Sequence, residues 1–240
     1  MQDKMKTSKT ATTWWDEIEA IIAERSLLAH PFYQAWTRGE LSRADLAHYA
    51  RQYYQQEARF PRFVSAVHSA CPDLKVRQAL LENLTQEESG PDNHPELWLR
   101  FADALGVSRR AMAQTQPEPK TAACVAEFEA LCRGGRWQEG VAALYAYESQ
   151  QPAVAKTKIA GLRNFYGVES PAALEFFRAH QEMDVWHAGV EKKILREQAA
   201  RTPGLAGDVK KAVRRACDAL NALLDGVCEA RGISCSPSMN

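Results

Sequence analysis

His180, Asp184 and His187 stand at offsets of four and seven within HQEMDVWHAGVEKK, so on a helix they share one stripe. Phe177 one turn earlier and Ile194 two turns later extend that stripe in apolar character. A carboxylate on a core-facing stripe is costly unless its charge is met. A divalent cation meets it, and Asp184-x-x-His187 mimics the Glu-x-x-His pairs with which inward-facing bundle helices hold two metals. An Asp–His hydrogen bond or a solvated polar face accounts for the same triplet, and spacing alone leaves the readings level.

Glu148 is the second candidate. Val141, Leu144 and Tyr145 precede it at offsets of seven, four and three, which puts it on the buried stripe of its helix. Pro152 has no N–H to offer the Glu148 carbonyl, so a kink opens the helix beside the carboxylate. A buried glutamate bonded to a tyrosine or arginine fits as well. The third candidate joins Glu87 or Glu88 to His94: Leu80, Leu81 and Leu84 define a core face that either glutamate continues, and Gly90-Pro91 turns the chain before His94 opens the next helix. Two glutamates at a helix end are ordinarily solvated, and spacing does not choose between them.

Other candidates have structural explanations. Asp45-x-x-His48 has ligand-like spacing, but Asp45 pairs with Ser42 in a capping box. His68 suits a core position, and His30 suits the negative end of a helix that stops at Pro31. Tyr49, Tyr53 and Tyr54 have the spacing of core aromatics. Taken jointly, the remaining set offers three carboxylates and three imidazoles. Nitrogen and oxygen donors without thiolate suit iron or manganese, with carboxylates able to bridge two ions. Bundles holding such centres commonly activate dioxygen.

These residues need helices to converge. No strict apolar/polar alternation is long enough for a sheet, and helical periodicity dominates. Helices are expected over about Trp14 to Ala29, a short segment around Phe32, Tyr33 and Trp36 ending near Gly39, and a long helix from Ser42 toward Cys71 kinked at Pro61. Further helices cover about Leu74 to Ser89, Asn93 to Leu105, and a stretch after Pro119 to Cys132. The last three run over about Gln138 to Phe165 with Pro152 inside, Pro171 to Ala200, and Asp208 to Arg231. The expectation is one all-α bundle over residues 13–232, with mobile polar ends at 1–12 and 233–240.

Composition agrees. The chain has 240 residues, 45% hydrophobic and 25% charged, enough for a sizeable core at roughly 150 residues per domain. Thirty basic residues cancel thirty acidic ones, which leaves no electrostatic footprint for nucleic acid or an anionic membrane. No apolar run reaches the ~18 residues of a membrane span, and no secretory h-region is visible. None of the six cysteines forms a CxxC pair, so reduced thiols in the cytoplasm are expected. P-loop, GxGxxG, GxSxG and HExxH motifs are all missing.

Longer blocks carry a resemblance. HPFYQAWTRGEL, YYQQEARFPRFVSAVHS, LTQEESGPDNHPELW, GVAALYAYESQQP and HQEMDVWHAGVEKK make residues 14 to 200 similar to the CADD family, named for the chlamydial protein associating with death domains. That family is related in fold to the TenA thiaminases and to pyrroloquinoline-quinone synthase. The resemblance implies a haem-oxygenase-like bundle without haem and a dinuclear metal centre, Fe/Fe or Fe/Mn. It implies Glu87, His94, Glu148, His180, Asp184 and His187 as ligands, selecting Glu87 over Glu88. It also implies oxygen-dependent formation of para-aminobenzoate for folate biosynthesis, driven by an external reductant. In that scheme the enzyme consumes itself: Tyr33 supplies the ring, Lys158 the amino group, and Tyr49 assists. Periodicity would have made Tyr33 a packing aromatic and Lys158 a surface lysine. Phe176 and Phe177 offer no tyrosine where some relatives have one. Rival readings are a TenA-like or quinone-synthase-like enzyme acting on a small heterocycle, and a non-catalytic protein-binding module. A homodimer is compatible with the pattern.

Overall fold

The computed structural model describes residues 13–234; the ends expected to be mobile lie outside that range, save Ile233 and Ser234. Ile233 packs on the core, and its N–H donates to the Cys228 carbonyl. The described residues are helical throughout, without strands. In chain order the α-helices are α1 (Trp14–Glu24), α2 (Pro31–Arg38), α3 (Arg43–Glu57), α4 (Phe60–Ala70), α5 (Leu74–Glu88) and α6 (His94–Ala104). They continue with α7 (Arg109–Gln114), α8 (Pro119–Arg133), α9 (Trp137–Glu148), α10 (Gln151–Asn164), α11 (Pro171–Arg201) and α12 (Leu205–Arg231). A 3₁₀ turn, Leu27–Ala29, joins α1 to α2.

Local chemistry sets these boundaries. Thr13 with Asp16 and Ser42 with Asp45 form capping boxes, and Asp73, Asn93, Ser108 and Ser170 accept from early backbone N–H groups. Each satisfies donors that a helix start leaves open. Three expected helices divide or shorten. The first ends at Glu24 and leaves Leu27–Ala29 as a separate turn. The Ser42–Cys71 helix breaks between Glu57 and Phe60, and the Gln138–Phe165 helix breaks between Glu148 and Gln151. In both breaks the proline sits in the first turn of the new helix. A missing N–H costs nothing there, whereas inside an unbroken helix it would leave the Glu57 or Glu148 carbonyl without its partner. Helix α7 was not expected.

The 31-residue α11 packs against α6, α9 and α10, while α12 lies along α8 and α9. The α11 stripe therefore faces the ends of α5 and α9 and the start of α6. The rest of the core is aromatic: Phe32, Tyr33, Trp36, Tyr49, Tyr53, Trp98 and Phe101 are all buried.

Candidate metal centre

Two buried triads form where α11 meets its neighbours. Glu87 from the last turn of α5, His94 from the start of α6 and His180 of α11 make one. Glu148, the last residue of α9, joins Asp184 and His187 of α11 in the other. Within each triad the donor atoms lie within 4.8 Å of one another. All six side chains are 1–2% exposed. Glu88, by contrast, is exposed.

Lone pairs converge in both triads. His94 Nδ1 approaches Glu87 Oε1 to 2.9 Å, and His187 Nδ1 lies 3.2 Å from Glu148 Oε1 and 3.4 Å from Asp184 Oδ1. Yet neither Nδ1 has a partner with hydrogen-bond geometry, and Glu87 Oε2, Glu148 Oε2 and both Asp184 oxygens have none either. Native proteins rarely bury so many polar atoms without partners. The outer nitrogens explain the orientation. His180 Nδ1 donates to the Phe176 carbonyl at 2.8 Å, and His187 Nε2 donates to the Gln86 side-chain oxygen at 2.8 Å. That leaves His180 Nε2 and His187 Nδ1 as bare acceptors turned inward, as metal-bound histidines are held. Asn83 Nδ2 donates to Glu148 Oε1 at 2.8 Å.

The electrostatics are those of a cation site. Burial, with Glu148 and Glu87 nearby, holds the Asp184 carboxyl well above its usual range. Burial opposes charge on His187, but the close carboxylates of Asp184 and Glu148 push it up to about 10. His94, facing Glu87, rises to about 9 against the same penalty. His180, buried beside His94, falls well below its ordinary value. Such clusters bind positive charge as protons or as metal ions. The donor set, nitrogen and carboxylate oxygen without sulfur, fits iron or manganese.

Two further acids stand here that periodicity missed. Glu57, the last residue of α3, is 0% exposed; it accepts the Tyr147 hydroxyl at 2.6 Å and has Oε1 3.7 Å from His180 Nε2. Burial and Glu87 raise its carboxyl to about 7. Glu191, one turn after His187, lies buried against Glu148. Signals existed: Glu57 continues the Tyr49–Tyr53 stripe at four-residue steps, and Glu191 continues Asp184–His187.

Beside the first triad is an aromatic cage. The Tyr33 and Tyr49 hydroxyls are 3.0 Å apart. Lys158 is 1% exposed, with Nζ 4.8 Å from the Tyr53 ring centre, 5.4 Å from Tyr49 and 5.7 Å from Tyr33. Trp98 and Phe177 close the cage at 5.3 Å each. Burial lowers the Lys158 ammonium to about 7, against the attraction of Glu57. Burial also raises the Tyr33 phenol well above its ordinary value, so it stays neutral. Trp98 stacks on Tyr53 at 5.2 Å and meets Phe176 at 4.8 Å, and Phe176 lies 4.1 Å from the His180 ring. A surface cleft of about 400 Å³, lined by Gln86, Asp92, Leu97, Arg100 and Met183, reaches His94.

His48 and His68 stay outside. His48 pairs with Glu118 at 3.2 Å, and His68 is only half-buried, not a core residue. His30 caps the start of α2, with Nδ1 accepting the Phe32 N–H, in place of a role at a negative helix end.

Comparison with known proteins agrees with this geometry. The model of a family of iron-containing redox enzymes matches residues 47–221. The 4-aminobenzoate synthase of Nitrosomonas europaea is 43% identical over 226 residues, covering 90% of this chain and 92% of that protein. The chain belongs to the 4-aminobenzoate synthase family. That of Chlamydia muridarum is 40% identical over 95% of this chain and 96% of its own. A TenA homologue from Pseudomonas syringae superposes with a TM-score of 0.80 at 14% identity, covering 95% of this chain and 98% of that one. This likeness establishes the fold, a haem-oxygenase-like bundle. The family is one of enzymes, and the CADD-like resemblance holds. No helix among the described residues is long and apolar enough to cross a membrane.

Proposed function

We propose that this chain makes 4-aminobenzoate for folate biosynthesis in an oxygen-dependent reaction, holding two divalent metals, Fe/Fe or Fe/Mn, on its two triads. We further propose that it draws the product from itself, the ring from Tyr33 and the nitrogen from Lys158. One observation carries the reading: a fully buried lysine and a fully buried tyrosine share a cage, 5.7 Å from amine to ring centre, beside a cluster of unpaired metal-binding donors. A lysine in such a place loses hydration that its charge needs, which is a poor structural bargain but useful for an amine donor.

Bound in the triads, the two ions would activate dioxygen with electrons from an external reductant. The chain's own residues do the rest. Tyr49 holds the Tyr33 hydroxyl and fixes the ring. Packing against Phe32 and Trp36 leaves that ring no room to turn toward solvent. The cage excludes water, so the Lys158 amine is available in its neutral form near pH 7. Glu57 is the carboxylate whose charge favours the ammonium form. Trp98 and Phe176 make an unbroken aromatic contact from the cage to His180. Breaking the Tyr33 Cα–Cβ bond turns Cβ into the carboxyl carbon, and replacing the phenol oxygen by nitrogen completes the product. The protein is expected to work in the cytoplasm, without nucleic acid or membrane partners.

Isotopes test it. Protein grown with ¹⁵N-lysine side chains and given metals, reductant and oxygen should release ¹⁵N-labelled 4-aminobenzoate, and the peptide holding residue 33 should lose its side chain. Tyr33→Phe should form no product with fold and metal content unchanged. Full rescue of a 4-aminobenzoate auxotroph by that variant would defeat the self-consuming route.

A further inference from the structure

The buried acids outnumber the three carboxylates of the triads, for Glu57 and Glu191 are buried beside them. Glu57 has its Oε2 fixed by the Tyr147 hydroxyl, whereas Oε1 has no hydrogen-bond donor. That free oxygen faces His180 Nε2 at 3.7 Å. Because His180 donates its Nδ1–H to the Phe176 carbonyl, Nε2 carries a lone pair. Two lone pairs facing each other across 3.7 Å repel unless positive charge stands between them. An ion about 2.1 Å from each, an ordinary distance for divalent metals with nitrogen and oxygen donors, fits the gap at an angle of roughly 120°.

We propose that Glu57 is a seventh protein ligand of the dinuclear centre, binding through Oε1 the ion held by Glu87, His94 and His180, with Tyr147 positioning it. The assignment rests on the dinuclear reading above. Glu57, Glu87, Glu148, Asp184 and Glu191 place five buried carboxylates around the site. Leaving Glu57 unbound would strand a buried carboxylate whose free oxygen has no donor, a costly arrangement. It also explains why Tyr147, adjacent to Glu148, is turned toward α3: its hydroxyl fixes which Glu57 oxygen remains free.

The competing role for Glu57 is counter-ion to Lys158 alone. Metal titration with Mn²⁺ and Fe²⁺ distinguishes the two, using Glu57→Gln in the native chain and in a Lys158→Met background, with helix content checked by circular dichroism. The expected result is at least a tenfold loss of affinity for one of two ions in both backgrounds, with an altered Mn²⁺ electron paramagnetic resonance spectrum. Tyr147→Phe, which removes only the hydrogen bond, should weaken the same ion less, and it serves as the test should Glu57→Gln fail to fold. Two ions held with native affinity and an unchanged spectrum overturn the assignment. So does a loss seen in the native chain and absent from the Lys158→Met background. A native chain that binds fewer than two ions overturns the dinuclear reading itself, and the assignment with it.

Discussion

Gly161 sets the distance between the two residues proposed to be consumed. It lies on α10 one turn after Lys158, and a Cβ there would sit 2.4 Å from Trp36 Nε1 and 2.5 Å from Trp36 Cδ1. Trp36 lies on α2 one turn after Tyr33 and is 0% exposed, so its indole cannot swing away. Gly161→Ala must therefore push α2 and α10 apart by about 1 Å to restore ordinary contact. Overpacking of this kind costs about 1–3 kcal/mol, and the gain in helix propensity returns about 1 kcal/mol. The net loss of up to about 2 kcal/mol lowers Tm by as much as roughly 8 °C in a chain of this size. The same displacement widens the 5.7 Å gap between Lys158 Nζ and the Tyr33 ring. A misplacement of about 1 Å can cost ~100-fold in rate. Thermal melting followed by circular dichroism and single-turnover 4-aminobenzoate formation measure both effects. Gly189→Ala, whose added Cβ meets nothing within 4 Å, is the control and should melt at or slightly above the native temperature. A Gly161→Ala protein that melts and reacts like the native chain would refute the close contact of α2 with α10.

Asn83→Ala removes the hydrogen bond to Glu148 Oε1 and should weaken the ion at the second triad by about 10–100-fold, read by competition with a chelator; unchanged affinity contradicts the orienting role. His30→Ala deletes the Nδ1 acceptor for the Phe32 N–H and should cost about 1 kcal/mol, while His30→Asn should recover most of it in urea melts. Burial, only partly offset by Asp225, holds folded His30 below its ordinary value of 6.5. The unfolded chain therefore takes up a proton first, so stability falls as pH drops through 6.5, and that part of the loss should vanish in His30→Asn. Burial pushes the Cys132 and Cys217 thiols up to about 12; alkylation at pH 8 should leave both unmodified until the chain unfolds, and rapid native labelling would show that the α8–α12 core is open.

The α11 stripe was legible as a candidate because one helix carries three donors at helical spacing, although an Asp–His hydrogen bond explained the triplet equally well until the other donors were taken with it. Glu148 was legible for a related reason: Val141, Leu144 and Tyr145 define its face. The choice of Glu87 over Glu88 was not, since adjacent residues at a helix end differ in direction only once the end is fixed in space. Glu57 hid within YARQYYQQEARF, a polar run that reads as solvated. It is buried because the tyrosine stripe turns the same face inward, with Gln52, Gln55 and Gln56 also buried. Lys158 hid in AKTKIAG, although Val154, Ala155 and Leu162 at offsets of four, three and four share its face and are buried. A charged residue on such a stripe conflicts with local patterning, and conflicts of that kind gather at functional sites. The breaks at Pro61 and Pro152 were foreseen as kinks because periodicity runs through them; proline's tolerance in a first turn makes them new starts.

The most direct measurement combines metal analysis of the chain, purified after iron and manganese supplementation, with product and intact-mass analysis after reductant and oxygen are added. The account predicts two metal ions per chain, no more than one equivalent of 4-aminobenzoate without any added aromatic substrate, and a chain of full length that is lighter by the Tyr33 side chain. Product formed over many turnovers by a chain of unchanged mass, or by metal-free protein, would contradict it.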